Sequence, residues 1–142
     1  MQRGFTLLEL SAVLAIMAAM VATGVVTYSA HIRAAHTSEA VSNVRLLADL
    51  VRSHPGGPVA CAPSPPEVPR ARPAPWVPSA GCRALGFSPV GHTRFQYSVQ
   101  VPGPAGSAFA VVAAGDLDGD GEYSRFMLRA DRVELEVERG LE

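Results

Sequence analysis

Three aspartates at alternate positions form the clearest set of side chains that could bind a ligand. They lie in the run GDLDGDGEYS, in the C-terminal third of the chain. Carboxylates at this spacing, with glycine between them, match the first half of an EF-hand-type calcium loop. The pattern predicts side-chain ligands from Asp116, Asp118 and Asp120, a backbone carbonyl ligand from Glu122 and a water-mediated ligand at Ser124.

The same run also has a purely structural interpretation. The loop position that should supply a bidentate glutamate is Met127, so a distant carboxylate such as Asp131 would have to complete the coordination shell. Without a metal, the run would be an acidic hairpin turn in which Asp accepts hydrogen bonds from backbone amides and Gly supplies positive φ. Calcium is the only cofactor that the sequence suggests, and none is required.

The remaining reactive side chains form no catalytic constellation. The serines have no motif around them, and the four histidines are spread along the chain. His31 and His36 are five residues apart and would lie on different faces of a helix. We therefore expect no enzymatic activity. A formal net charge of -1 with no basic run also argues against nucleic acid as a partner.

A further carboxylate, Glu9, lies inside an otherwise apolar run from Phe5 to Ala30. As a helix this run would be about 39 Å long, which exceeds the roughly 30 Å hydrocarbon layer of a membrane, so residues 5–30 are a predicted transmembrane segment. A charge inside a bilayer costs about 3 kcal/mol or more. No basic residue follows within a helical turn or two, so we expect the partner of Glu9 to come from another chain. Cleavage after Gly4 would create an α-amino group at Phe5 that could meet Glu9 of a neighbour in a stack of identical helices.

The residues GFTLLEL, from Gly4 to Leu10, resemble the processing motif of type IV pilins and of the pseudopilins of type II secretion. The resemblance implies that residues 1–4 are a leader, which a membrane peptidase removes after Gly4 before it methylates Phe5. An ordinary secretory signal peptide fits less well, because its apolar core is usually about 7 to 15 residues long. The implied partners are this prepilin peptidase and methylase, other pilin or pseudopilin subunits, a membrane assembly platform, and membrane lipid before assembly.

The function that the resemblance implies is that of a structural subunit, a minor pilin or pilin, of a type IV pilus-like filament. Such a subunit crosses the inner membrane once, with a periplasmic globular domain, and then enters a periplasmic or extracellular filament. One alternative is a pseudopilin of a type II secretion system, and another is a membrane-anchored calcium-binding module that never polymerises. The stalk of major pilins often contains a proline, and none occurs between Phe5 and Ser53, which favours a minor pilin or a pseudopilin.

Residues 31–142 are expected to form one globular domain that begins with an amphipathic helix over residues 31–53. Apolar residues recur there at three- and four-residue spacing, and the run ends at His54-Pro55-Gly56-Gly57, which stops a helix. A proline-rich loop should follow over residues 55–80, because so many prolines exclude a helix or a central strand. The apolar residues concerned are Ile32, Ala35, Val41, Val44, Leu47, Ala48 and Val51.

A period of two from residue 95 onward predicts a sheet within residues 94–138. The expected strands cover 95–101, 109–114, 125–129 and 133–138, and short links between them favour antiparallel pairing. The sequence therefore predicts an α+β, pilin-like fold: one long N-terminal helix whose C-terminal half packs on an antiparallel sheet of three or four strands. Trp76, Leu85 and Phe87 should cover one end of this core.

The two cysteines, Cys61 and Cys82, are separated by twenty residues and have no C-x-x-C pairing, which gives a zinc site little support. The periplasmic location that the resemblance implies would favour a disulfide between them. Two free thiols are the alternative. In many pilins the disulfide encloses a loop near the C-terminus, whereas here it would follow the helix directly.

Overall fold

The structure is a computed structural model, and it describes residues 6–103 and 108–138. The side chains at positions 24–27, 29, 30 and 33 lie outside this description. The expected cleavage site, Gly4 and Phe5, also lies outside the described residues. The chain divides into two compact units, residues 1–35 and residues 36–142.

One helix, α1 (Leu7–Ser53), accounts for the first part of the chain. It contains no proline, and its last turn carries Arg52, whose charge suits the C-terminal end of a helix dipole. The helix ends where the sequence predicts. The His54 amide donates to the Val51 carbonyl at 3.4 Å, and Gly57 has φ of 88°, which glycine adopts more easily than other residues.

The second unit contains a five-stranded antiparallel sheet and a separate two-stranded ribbon. The sheet order is β1-β4-β5-β6-β7, and β2 pairs with β3. The elements after α1 are β1 (Cys61–Ser64), β2 (Ala74–Pro75), α2 (Ala80–Ala84), β3 (His92–Thr93), β4 (Gln96–Gln100), β5 (Ala110–Gly115), β6 (Ser124–Arg129) and β7 (Glu136–Glu138). The α+β prediction is confirmed, and the sheet is larger than the three or four strands expected.

The additional strand, β1, comes from the proline-rich segment that we expected to be a loop. Pro63 lies within it and can donate no hydrogen bond, yet β1 is an edge strand and so needs partners on one side only. Its pairing with β4 is irregular: Cys61 is opposite Val99, Ser64 is opposite Tyr97, and the register shifts between them. The prolines excluded a central strand here but not a short edge strand.

The last strand, β7, is shorter than the sequence predicts. The alternation from Val133 to Glu138 suggested a strand of six residues, whereas only Glu136–Glu138 pairs with β6. Val133 is 93% exposed and belongs to the link before the strand. Alternation alone could not show that this valine faces water.

The core of the second unit lies between α1 and the sheet. Every core position on the helix falls after residue 39, so the predicted apolar face was too long at its start: Ile32 and Ala35 are exposed. The buried side chains include Ala40, Val44, Leu47, Ala48 and Val51 of α1 and Tyr97, Val99, Val111, Ala113, Phe126 and Leu128 of the sheet.

An aromatic cluster closes one end of this core, as predicted for Trp76 and Phe87. The Trp76 ring contacts Phe87 edge-on, with 5.4 Å between centroids, and Phe87 packs on Tyr97 at the same distance. Burial raises the pKa of the Tyr97 hydroxyl, which therefore stays neutral and accepts a 2.9 Å hydrogen bond from the Asn43 amide of α1. Leu85 is buried beside the cluster.

A disulfide joins Cys61 of β1 to Cys82 of α2, with 4.9 Å between the Cα atoms, and the predicted pairing is confirmed. Ser79 supports the same junction, since its amide donates to Ser64 Oγ at 2.9 Å and its hydroxyl donates to the Ala62 carbonyl at 3.1 Å. Residues 61–64 and 79–82, at the two ends of the proline-rich segment, are therefore joined by both a covalent bond and hydrogen bonds.

Candidate functional site

The first turn of α1 is capped by a reciprocal pair of side chains, Thr6 and Glu9. The Thr6 amide and the Thr6 hydroxyl each donate to Glu9 Oε2 at 2.9 Å, and the Glu9 amide donates to Thr6 Oγ1 at 3.2 Å. This is a capping box, in which residues N-cap and N3 satisfy amides that have no partner inside the helix. The Leu10 amide donates to the Thr6 carbonyl at 3.2 Å and continues the helix.

The capping box gives Glu9 hydrogen-bond partners that were not predicted from the sequence. Because no basic residue follows Glu9, we expect its charged partner to come from another chain, and this stays a prediction. Glu9 Oε2 is bound by Thr6 of its own chain, while Oε1 has no hydrogen-bond partner among the described residues. The spacing T-x-x-E before an apolar run was visible in the sequence and could have revealed the box.

The helix that begins at this cap presents apolar side chains that no other described residue of the first unit covers. Every side chain from Thr6 to Thr23 is exposed, including Leu7 at 87% and Met20 at 70%. Over residues 6–103 and 108–138, no helix combines the length and apolar character that crossing a membrane requires.

The second candidate site is the turn between β5 and β6, residues 116–123, which we call the carboxylate turn. Its Asp116 side chain is buried and accepts hydrogen bonds from backbone amides of the turn. Its carboxylate accepts from the Gly119 amide at 2.6 Å and from the Gly121 amide at 3.1 Å. Both glycines have positive φ, 87° and 91°, as the hairpin interpretation requires. Asp120 accepts from the Glu122 amide at 2.7 Å, so the turn has its own network of side-chain to backbone bonds.

This carboxylate turn also binds the proline-rich segment through backbone atoms. The Asp116 amide donates to the Pro69 carbonyl at 3.2 Å, and the Asp116 carbonyl accepts from the Ala71 amide at 2.7 Å. Ala71 has φ of 48°, which is uncommon for a residue other than glycine. No sequence pattern indicated this contact, because the two segments are more than forty residues apart.

Comparison with known proteins adds evidence for the N-terminal segment. A family described as the prokaryotic N-terminal methylation motif matches residues 1–25. The chain carries the signature of type IV pilins and pseudopilins. No curated protein and no solved structure matches the chain significantly. The predicted resemblance is therefore confirmed over the methylation motif, which includes the capping box and Glu9.

The distances between the carboxylate oxygens of the carboxylate turn are compatible with a bound calcium ion. One carboxylate oxygen from each of Asp116, Asp118 and Asp120 lies within 4.8 Å of the others. Two ligands on opposite sides of a calcium ion are about 4.6 to 5.2 Å apart, so these three oxygens could share one ion. Oxygen ligands of this charge suit calcium or magnesium better than softer metals.

Asp131, which the sequence suggested as the carboxylate that completes the coordination shell, lies too far from the carboxylate turn to do so. It follows the far end of β6, whereas the carboxylate turn precedes Ser124 at the near end. A strand of this length spans roughly 17 Å, which is far beyond one coordination shell. The remaining ligands of an ion would have to be the predicted Glu122 carbonyl, a water at Ser124 or further waters.

We expect Asp116→Ala to destabilise the second unit in the absence of calcium. It would remove the acceptor of the Gly119 and Gly121 amides, whose hydrogen bonds to Asp116 are part-buried, at about 0.5 to 1.5 kcal/mol for each bond. The control Asp118→Ala changes an exposed side chain and should shift the unfolding free energy by less than about 0.5 kcal/mol. Denaturant unfolding in a chelator, followed by the fluorescence of the single Trp76, measures both. Equal midpoints for the two variants would contradict the role assigned to Asp116.

Proposed function

We propose that this chain is a structural subunit, a minor pilin or pilin, of a type IV pilus-like filament. The observation that supports the proposal most strongly is the methylation motif over residues 1–25. In this role the N-terminal helix anchors the subunit in the inner membrane, with the globular unit in the periplasm, until the assembly machinery moves the subunit into the filament.

The exposed apolar side chains of the first unit suit a helix that lies first in a membrane and then in a filament. Exposure of side chains such as Leu7, Met20 and Val21 to water is unfavourable, because burial of their apolar surface would lower the free energy. Lipid would cover them before assembly, and equivalent helices of other subunits would cover them afterwards. The two coverings are similar in polarity, so transfer between them involves no large hydrophobic penalty.

The N-terminal end of the helix, with Glu9, would form a specific polar contact with an adjacent subunit. Removal of residues 1–4 would leave an α-amino group on Phe5, immediately before the capping box. Since Thr6 binds Oε2 of Glu9, the Oε1 atom remains available to receive the Phe5 amine of an adjacent subunit. A charge pair in an apolar surrounding is strongly destabilised when one partner is removed, which makes a correct register between subunits favourable.

A pseudopilin of a type II secretion system is the alternative within the same class. The methylation motif is common to both classes, and α1 runs without a proline through residues where major pilins often have one. The neighbouring genes distinguish the two, because pilus and secretion machineries are typically encoded with their subunits.

Glu9→Gln and Glu9→Ala together test whether the charge of Glu9 acts in assembly. Glutamine at this position keeps the capping box but carries no charge, whereas alanine removes both. We expect both variants to insert and lose the leader, to leave the stability of the second unit unchanged, and to accumulate in the membrane instead of in filaments. The measurement is the fraction of processed subunit in sheared filaments relative to membranes.

Thr6→Ser is the matched control for these variants, because it retains the hydroxyl that binds Glu9. It should assemble as the wild type does. Normal filament incorporation of Glu9→Gln, combined with failure of Glu9→Ala, would show that Glu9 acts through the cap. Normal incorporation of both would contradict the role proposed for Glu9 and would show that entry into the filament relies on other contacts.

A second proposed property is calcium binding at the carboxylate turn, which the spacing of the three aspartate oxygens favours. We expect calcium to raise the unfolding temperature of the full-length protein in detergent, because the ion binds the folded turn. A concentration about 10 to 100 times the dissociation constant would add about 1.4 to 2.7 kcal/mol. The variants Asp118→Asn and Asp120→Asn keep an oxygen acceptor but lose charge, and should abolish most of this shift.

Glu134→Gln is the control for the calcium experiment, since it removes an exposed acid outside the turn. It should keep the full calcium shift. The absence of any shift in the wild type, or an equal shift in the Asp118→Asn variant, would leave the turn with its structural role alone.

A further inference from the structure

The loop between α2 and β3 holds an apolar side chain in water. Val90 of this loop has an exposed fraction of 100%, the largest among the big apolar residues of the described part of the second unit. The residues around it fix this orientation, because Phe87 and Pro89 are buried and Gly91 has φ of 74°. The Phe87 amide also donates to the Cys82 carbonyl of α2 at 3.0 Å. We call residues 86–91 the Val90 loop.

A recess of about 770 Å³ lies where β4 and β6 end and β5 begins, beside the last turn of α1. Phe109 and Met127 give it apolar surface, and the side chains of Arg52 and Arg129 also line it. The Arg52 guanidinium lies over the Phe109 ring, with 5.7 Å from Cζ to the ring centroid. Cavities of roughly 300 to 1,000 Å³ with apolar walls and a few polar groups are typical binding sites. We call this cavity the arginine recess.

The Val90 loop and the arginine recess lie near opposite ends of the second unit's part of α1. Val90 is three residues before Thr93, whose hydroxyl lies 3.3 Å from Glu39 Oε1. The recess instead includes Arg52, in the last turn of the helix. From Glu39 to Arg52 a helix rises about 20 Å, whereas three residues span at most about 11 Å. The Val90 side chain therefore cannot fill the recess of its own chain.

We propose that the arginine recess of one copy of this chain receives the Val90 loop of a second copy. The inference rests on the filament function proposed above and adds to it a contact between subunits. A contact between two different surfaces of identical chains is heterologous, and it continues from copy to copy unless the rotation closes a ring. A protruding apolar side chain near one end of the unit and a recess near the other end suit such a contact.

The apolar surfaces of the two partners match. Val90 would be buried on Phe109 and Met127, and the burial of its surface is favourable because the side chain is fully exposed in a single copy. A membrane surface could also cover Val90, but it would leave the recess unexplained. A second copy accounts for both features at once.

The polar groups of the recess also suit this loop. Arg52 and Arg129 each form an ion pair through one nitrogen, to Asp49 at 3.1 Å and to Glu136 at 3.6 Å. A guanidinium group has five N–H donors, so both retain donors for the backbone carbonyls of an entering loop. Residues 86–91 contain no ionisable side chain, so the loop brings no charge that either arginine would repel.

The test is thiol cross-linking of the double variant Val90→Cys/Ala130→Cys in sheared filaments, since Ala130 lines the recess. The two native cysteines are bonded to each other, so the introduced thiols are the only free ones. After mild oxidation we expect a ladder of covalent multimers, because every copy carries both halves of the contact. Each single variant should remain monomeric. The matched control Val137→Cys/Ala130→Cys, which uses an exposed valine of β7, should give no ladder either.

A second variant, Val90→Asp, measures what the apolar side chain contributes. Burial of a valine side chain changes an equilibrium constant by about tenfold or more, so the fraction of processed subunit in filaments should fall by a similar factor. Val90→Leu and the control Val137→Asp should keep the wild-type fraction. The unfolding midpoint followed by Trp76 fluorescence should be the same for all of them, because both valines are exposed in a single copy.

Filaments that form normally but give no ladder, or dimers from Val90→Cys alone, would overturn this inference and leave the filament function intact. A wild-type subunit that is processed but never enters filaments would instead contradict the filament function, and this contact with it.

Discussion

The exposed apolar surface of the N-terminal helix is the constraint on which the rest of this molecule depends. From Leu7 to Val21 the helix has exposed leucine, isoleucine, methionine and valine side chains, which no other described residue of the first unit covers. An exposed apolar surface of this kind marks a site of interaction with apolar partners. In the function we propose, this helix moves from a membrane into an assembly of similar chains, and the methylation motif over residues 1–25 supports the proposal.

In the second unit, the remainder of the same helix packs on the sheet instead of being exposed. After residue 39 the helix buries one face against the sheet, and Asn43, Glu39 and Arg94 add polar contacts that fix its position on the strands. The disulfide and the Asp116 contacts then hold the proline-rich segment at its base and near its middle. Together they give a segment with little apolar periodicity a defined place on the surface.

The sequence predicted the features that depend on periodicity. Strands β4, β5 and β6 follow from alternation and apolar runs, and the end of α1 follows from Pro55 and the glycines after it. It did not predict β1, because an edge strand tolerates Pro63 and needs no alternation. The contact of Asp116 with Pro69 and Ala71 was equally hidden, since it uses backbone atoms whose pairing leaves no trace in residue type.

The proposed function depends on processing of the N-terminus, so the mass of the mature chain tests it most directly. The full-length protein, produced with a prepilin peptidase and recovered from membranes, should begin at Phe5 and carry one methyl group on its α-amine. Intact-mass and peptide mass spectrometry would establish both features. A chain that retains Met1, or one cleaved near Ala30, would contradict the assignment to pilin-like subunits.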